Sequence, residues 1–189
     1  MKRKVIALTG KIGSGKSSVS NILRNLGYNT VDCDVLAKQV SDNPDVVKQV
    51  EQLLGSEFVS NGQLNRKLIR EVVFDDADLL NKYEQIFFDG VKSLLIDTLA
   101  TMEDAQAVFV EIPVLDAFSF NWDEIWRIES KPEACISRVA VRDNVSADNV
   151  RATFNSQKTY DCDCVIENSG NKEQLIYSVK LALSTRQLI

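Results

Sequence analysis

The stretch Thr9 to Ser18, TGKIGSGKSS, constrains this chain more than any other. Gly10, Gly15, Lys16 and Ser17 fit the spacing G-x-x-x-x-G-K-[ST], and the flanking residues supply the context in which that spacing has a mechanism. Val5 to Thr9 is a short apolar run that ends in the glycines. From Lys16 onward Val19, Ile22, Leu23 and Leu26 recur at helical spacing until Gly27 stops them. A strand that passes through glycines into a helix winds backbone N–H groups around one point and aims a helix dipole at it, which suits a phosphate group. Lys16 then reaches the β- and γ-phosphates of a nucleotide, and the hydroxyl of Ser17 is placed to bind Mg²⁺. The candidate nucleotide-binding residues are Gly10, Lys11, Ile12, Gly13, Ser14, Gly15, Lys16, Ser17 and Ser18. The competing reading is a glycine-rich turn that binds nothing.

The rest of the chain reads as an open α/β sheet with helical additions. Thr30 to Asp34, TVDCD, alternates like a second strand ending in acids. From about Asp42 to Thr101 the pattern is helical, with Leu80, Tyr83, Phe87, Val91, Leu94 and Thr98 on one face of a long helix and no convincing strand. Ala107 to Ile112, AVFVEI, has the continuous apolar character of a strand covered on both faces, closed by Pro113. Glu124 to Glu129, EIWRIE, is a further strand. Pro132 can open the helix after it, which carries Arg138 and Arg142 one turn apart. Ser146 caps another helix, Cys164 to Asn168 forms the last strand, and Asn171 with Gln174 makes a capping box for the final helix. Nothing resembles a repeat or a linker, so a single domain over residues 1–189 is expected.

Composition narrows the chemistry. Of 189 residues, 27 are Asp or Glu and 22 are Lys or Arg, and the net charge of −5 gives no general attraction to nucleic acid or to an anionic membrane. A small-molecule substrate is the simpler expectation, with no nucleic-acid or membrane partner. The apolar run near the amino terminus stops at Leu8, too short for a signal core or a span, so a cytoplasmic setting is expected. Cys33, Cys135, Cys162 and Cys164 are scattered as free thiols would be, and the CDCD pair has neither a histidine nor a second close cysteine pair to complete a zinc site. The chain has 0 histidines, which removes histidine bases and leaves carboxylates as proton acceptors near neutral pH.

Asp32 and Asp34 therefore matter. Two residues apart on an extended strand, their carboxylates share one side near the sheet's carboxyl edge, where ligands of open α/β sheets gather. Catalysis or metal positioning competes there with a plain solvated turn or helix cap. Arg138 and Arg142 are equally open between stabilising a phosphoryl group in transfer and keeping an exposed helix soluble.

The segments ALTGKIGSGKSS, VDCD, NRKLIREVVF, VEIPVL, SRVAVRD and VIENSG, in this order from about Val5 to Leu183, resemble the dephospho-coenzyme A kinase family. The phosphate loop alone is generic, whereas VDCD directly after the first helix, NRKLIREVVF and VIENSG are far more specific. The resemblance implies a P-loop kinase fold: a central parallel five-stranded sheet flanked by helices, with a helical substrate subdomain at about 58–101 and a lid at about 138–158. It implies transfer of the γ-phosphoryl group of ATP, with Mg²⁺, to the 3′-hydroxyl of dephospho-coenzyme A. Asp34 would be the base, with Lys16 and Arg138 as its catalytic companions. Asp32, Arg66 and Arg70 would contact the substrate, and Asn168 and Gly170 would lie beside the adenine.

The chain also departs from that pattern. Lys11 stands where a third glycine is usual, Lys38 where arginine is usual, Phe88-Asp89 where the family has His-Pro, and Ala117 where it has glutamate; the stretch from Gln157 to the last strand is short. Another small-molecule kinase on the same fold, or a nucleotide-binding relative without turnover, are the alternatives. A regulatory GTPase fits poorly, because D-x-x-G is absent and the nearest match to a guanine-reading motif, NKYE at Asn81, falls in a helical pattern.

Overall fold

A computed structural model describes residues 3–73 and 76–189, so Phe74, the last residue of NRKLIREVVF, lies outside the described residues. The elements run β1 (Lys4–Thr9), α1 (Lys16–Asn25), β2 (Asn29–Asp32), α2 (Cys33–Ser41), α3 (Pro44–Leu54), β3 (Val59–Ser60), β4 (Gln63–Leu64), α4 (Arg66–Val73), α5 (Ala77–Ala100), β5 (Ala107–Glu111), β6 (Glu124–Glu129), α6 (Pro132–Asp143), α7 (Ala147–Ser156), β7 (Cys164–Glu167) and α8 (Lys172–Thr185). They form two compact units. The first takes the chain up to Asp32 together with Met102–Asp116 and Asn121–Ile189; the second is Cys33–Thr101 with Ala117–Phe120.

The first unit is built on a five-stranded sheet in the order β2-β5-β1-β6-β7. Every pairing in it is parallel. β1 is central, and the chain leaves it to one side for β2 and β5 and returns to the other for β6 and β7. Such a reversal opens a crevice at the carboxyl ends of the strands, and the glycine loop leaves β1 there. The apolar runs that predicted doubly covered strands are buried as expected. Ile6, Leu8 and Phe109 face helices α1 and α8 in one core with Val19, Leu23, Trp126, Ile166, Val179 and Leu183. Trp126 is 0% exposed, its ring 5.1 Å from that of Phe109, and its indole N–H is satisfied by Glu124 Oε2 at 2.9 Å. A buried tryptophan without that acceptor would strand a donor. The predicted caps are present: Ser146 accepts from Asn149 N, and Asn171 and Gln174 close a capping box at α8.

The second unit is mainly helical. α2, α3 and α4 pack on the long α5, whose expected stripe is at least partly buried throughout and deepest at Val91, while Leu95 and Leu99, outside that stripe, are also buried. Two expectations are corrected here. The stretch Thr30–Asp34 is not all strand: β2 ends at Asp32, and Cys33 and Asp34 begin α2, because Cys33, Leu36 and Val40 recur at helical spacing and are buried. The middle region also contains strands. β3 and β4 pair antiparallel around Asn61 and Gly62, whose φ angles of 51° and 73° suit a two-residue hairpin turn.

Candidate active site

Within the first unit the glycine loop is shaped by the framework around it. Gly13 has a φ of +76°, and a Cβ there would run into the carbonyl oxygen of Cys135 in the first turn of α6. Gly15 has a φ of +99°, and a Cβ would collide with the amide nitrogen of Asn168. Both positions need glycine twice over, for backbone conformation and for space. Gly15 is also the N-cap of α1 and gives the helix no side-chain cap, so the donors of the first turn are left to the loop's concavity. Lys16 spans the loop, its Nζ donating to the Gly10 carbonyl at 2.9 Å.

Asn168, at the end of β7, locks the loop in place. Only 8% exposed, it donates through Nδ2 to Ser14 O at 2.8 Å and through its backbone N to Glu129 O at 2.7 Å. Its own carbonyl accepts from Ser130 Oγ at 2.7 Å and from Arg138 Nη2 at 3.3 Å. Arg138 Nη1 also donates to Gly13 O at 3.2 Å and to Ser130 Oγ at 3.0 Å. The guanidinium thus joins the phosphate loop to the loop after β7. Arg142, one turn on, turns instead to Asp143 and takes no part. Gly170, in the same loop, is close to Gln174 of the capping box.

Asp32 and Glu111 are register partners at the carboxyl ends of β2 and β5. Glu111 accepts a hydrogen bond from Ser20 Oγ of α1 at 2.9 Å. Ser17 is exposed on the first turn of α1. These three supply the hard oxygen donors that Mg²⁺ prefers.

The loop's other flank borders a cavity of about 440 Å³ in the same unit, lined by Gly10, Lys11 and Ser14, the ends of β5 and β6, α7 and the strap Gln157–Tyr160. Gln157 Oε1 accepts from Ile12 N at 2.7 Å, pinning the strap to the phosphate loop. Lys158 and the Tyr160 hydroxyl both donate to Asp116, at 2.5 and 2.7 Å, and hold that carboxyl below the usual range. Burial pushes the Cys135 thiol up, away from reactivity. The loop fits a polyphosphate: its helix start is uncapped, its glycines are framework-bound, and the buried Ser14 hydroxyl has no hydrogen-bond partner among the described residues.

Three of the expected residues lie in the second unit. Asp34 is exposed on the first turn of α2 rather than on a strand beside Asp32. Arg66 and Arg70 stand one turn apart on α4, with Arg66 Nη2 donating to Ser41 Oγ at 2.5 Å. Both guanidinium groups act on Tyr83 of α5; burial raises its phenol, and the two charges oppose that shift. The sequence alone gives Ser130 and Gln157 no role and marks Tyr83 only as part of the face of a long helix. Gln157 is the C-cap of α7, past the helical periodicity that could mark it, and the role of Ser130 depends on the end of β7, which is distant in the chain.

A parallel sheet in this strand order, with a G-x-x-x-x-G-K-S loop leading from its central strand into an uncapped helix, defines a P-loop kinase, an ATP-dependent phosphotransferase. The family model described as dephospho-CoA kinase matches residues 4–174. A dephospho-CoA kinase from Staphylococcus epidermidis is 31% identical, the match covering 91% of this chain and 90% of that protein. One from Thermus thermophilus is 32% identical over 95% of this chain and 90% of that protein. The crystal structure of TT1252 from Thermus thermophilus, 30% identical, superposes with a TM-score of 0.83 over 98% of each chain. This chain belongs to the dephospho-CoA kinase family. Among the described residues no helix is long and apolar enough to cross a membrane.

Proposed function

We propose that this chain transfers the γ-phosphoryl group of Mg-ATP to the 3′-hydroxyl of dephospho-coenzyme A, giving coenzyme A and ADP in the cytoplasm. The observation that carries the reading is the phosphate loop, with Lys16 drawn across it and Asn168 and Arg138 fixed against its outer side, in a chain of this family. Positioning and charge stabilisation do most of the work in phosphoryl transfer, and the loop offers both.

In this reading Gly10 to Ser18 hold the phosphates, and Lys16 neutralises charge on the β- and γ-groups. Asn168 and Gly170 border the adenine, and Arg138 stabilises the charge of the phosphoryl group in transfer. Mg²⁺ would be held by Ser17 with help from Asp32 or Glu111, and would supply neutralisation of the charge on the phosphates. Asp34 takes the proton as the hydroxyl oxygen bonds to the γ-phosphorus and the bond to the β,γ-bridging oxygen breaks. Its carboxylate is exposed on the first turn of α2, which suits that part. Asp32, Arg66 and Arg70 contact the acceptor; residues 58–101 form the substrate subdomain and 138–158 the lid.

The test is ADP release by the purified protein with Mg-ATP, with and without dephospho-coenzyme A, and the mass of the product. Strong stimulation and a gain of one phosphoryl group are expected. ATP binding without stimulation by dephospho-coenzyme A, but with stimulation by another alcohol, would replace the acceptor; no transfer to any acceptor would leave a binding protein.

A further inference from the structure

We propose that Lys11 is a second phosphate-loop cation, which leaves the ring of Phe154 to seat on a phosphate group entering the cavity beside β6. The proposal rests on the phosphotransfer reading above and gives the Lys11 side chain a role of its own within that loop.

Three cations line that cavity: Lys11, Arg127 and Lys158. Two are committed. Arg127 is paired with Glu129 at 2.7 Å and also donates to Tyr160 O at 2.5 Å. Lys158 is paired with Asp116 at 2.5 Å. Lys11 Nζ lies 4.6 Å from the centroid of the Phe154 ring and has no carboxylate partner among the described residues. A cation over a phenyl ring is held weakly compared with a lysine in a charge-assisted hydrogen bond to phosphate, so an arriving phosphate outcompetes the ring. A second observation points the same way. Ser14 lines the same cavity, and its buried hydroxyl lacks a hydrogen-bond partner among the described residues, as a donor reserved for a ligand would. Backbone geometry adds a third: the Lys11 carbonyl is already tied to Ser14 N at 3.1 Å, so the side chain can swing while the loop stays closed.

The chemistry recognised is a phosphate group, and two sources carry it: the γ-phosphate of ATP and the diphosphate of dephospho-coenzyme A. Lys11→Met keeps an unbranched apolar stem against Phe154 and removes the charge, while Lys11→Arg keeps the charge. Calorimetry of ATP and of ADP, together with KM for dephospho-coenzyme A, separates the sources. A loss of about tenfold in ATP affinity with ADP unchanged assigns Lys11 to the γ-phosphate. A similar rise in KM for the acceptor, with both nucleotides unchanged, assigns it to the diphosphate. Lys11→Arg should recover most of either loss. If Lys11→Met melts with the wild type and leaves all three values unaltered, Lys11 is not a phosphate ligand and the proposal falls. If the wild type itself shows no acceptor-dependent turnover, the function proposed above falls instead, and the ATP-against-ADP comparison still decides Lys11.

Discussion

Gly13 shows how tightly single positions are held. Its backbone is in the left-handed region and a Cβ there would run into the Cys135 carbonyl, so Gly13→Ala carries the strain of that conformation, about 1–2 kcal/mol, and must also displace α6. A melting temperature lower by roughly 3 °C or more is expected by calorimetry, and an unchanged melt would show that the loop relaxes freely. Glu124, largely buried between Lys4 and Arg186, is a carboxylate whose ionisation bears on stability. Burial pushes its carboxyl up, and hydrogen bonds from Lys4, Trp126 and Arg186 outweigh that, leaving the pKa below the usual value. A depressed carboxyl stabilises the fold above its unfolded pKa, near 4.3, and that contribution disappears as pH falls through the folded value. Glu124→Gln should therefore be less stable at pH 7 but lose less on going from pH 5 to pH 3, read as denaturation midpoints across that range. An acid limb as steep as the wild type's would assign the loss to other carboxylates. Of these features the glycines were legible in the sequence because their spacing reports a backbone shape. Ser130 and Gln157 were not, since each acts through a partner far away in the chain.

At the scale of elements, local signals worked where a residue type does a local job. Ser146, Asn171 and Pro132 start helices by chemistry confined to a few residues, and all three do so. They failed where two periods overlap. Over VDCD the alternation of a strand and the first turn of a helix look alike, and the tie is broken only by Leu36 and Val40 further on. The hairpin β3–β4 escaped because each strand has two residues, too few for any period, although Asn61-Gly62 is itself a strong turn signal. The strap from Gln157 to Tyr160 and the helix before it overlap the expected lid. They are held to the rest of the first unit by Val150 and Phe154 packed against α6, by the Arg151–Glu133 pair, by Gln157–Ile12, Lys158–Asp116, Tyr160–Asp116 and Arg127–Tyr160, and by the Lys11–Phe154 contact, while most of the α7 surface is exposed. If 138–158 is a lid, nucleotide binding should slow amide exchange across α7 and the strap while α8 exchanges as before. Identical exchange with and without ATP, followed by mass spectrometry, would remove the lid from the mechanism.

At the scale of the whole molecule, the sheet could be anticipated but its strand order could not. Apolar runs mark strands, yet nothing local says that β5 enters next to β1 and separates it from β2. The division into two units carries a functional consequence. Every group gathered around the phosphate loop, from Lys16 to Arg138 and Asn168, belongs to the first unit, whereas Asp34, Arg66 and Arg70 belong to the second. Binding of the donor and handling of the acceptor should then fail separately. Lys16→Ala removes the cation at the β- and γ-phosphates, and kcat/KM should fall by about 10²–10³. Arg66→Ala combined with Arg70→Ala should raise KM for dephospho-coenzyme A about tenfold or more and leave ATP affinity where it was, because in the proposed function both guanidinium groups serve the acceptor. Asp34→Asn should lower kcat with both affinities nearly intact, as expected for a base that acts only in the transition state. Steady-state kinetics with each substrate varied in turn, and calorimetry of ATP, distinguish the three patterns. Should Arg66→Ala with Arg70→Ala weaken ATP as much as the acceptor, the second unit would be part of the nucleotide site and the separation would be wrong. Should Asp34→Asn weaken ATP with no further loss in kcat, its carboxylate would serve the metal and the proton would have to leave through another acid, with Asp32 the nearest in the chain.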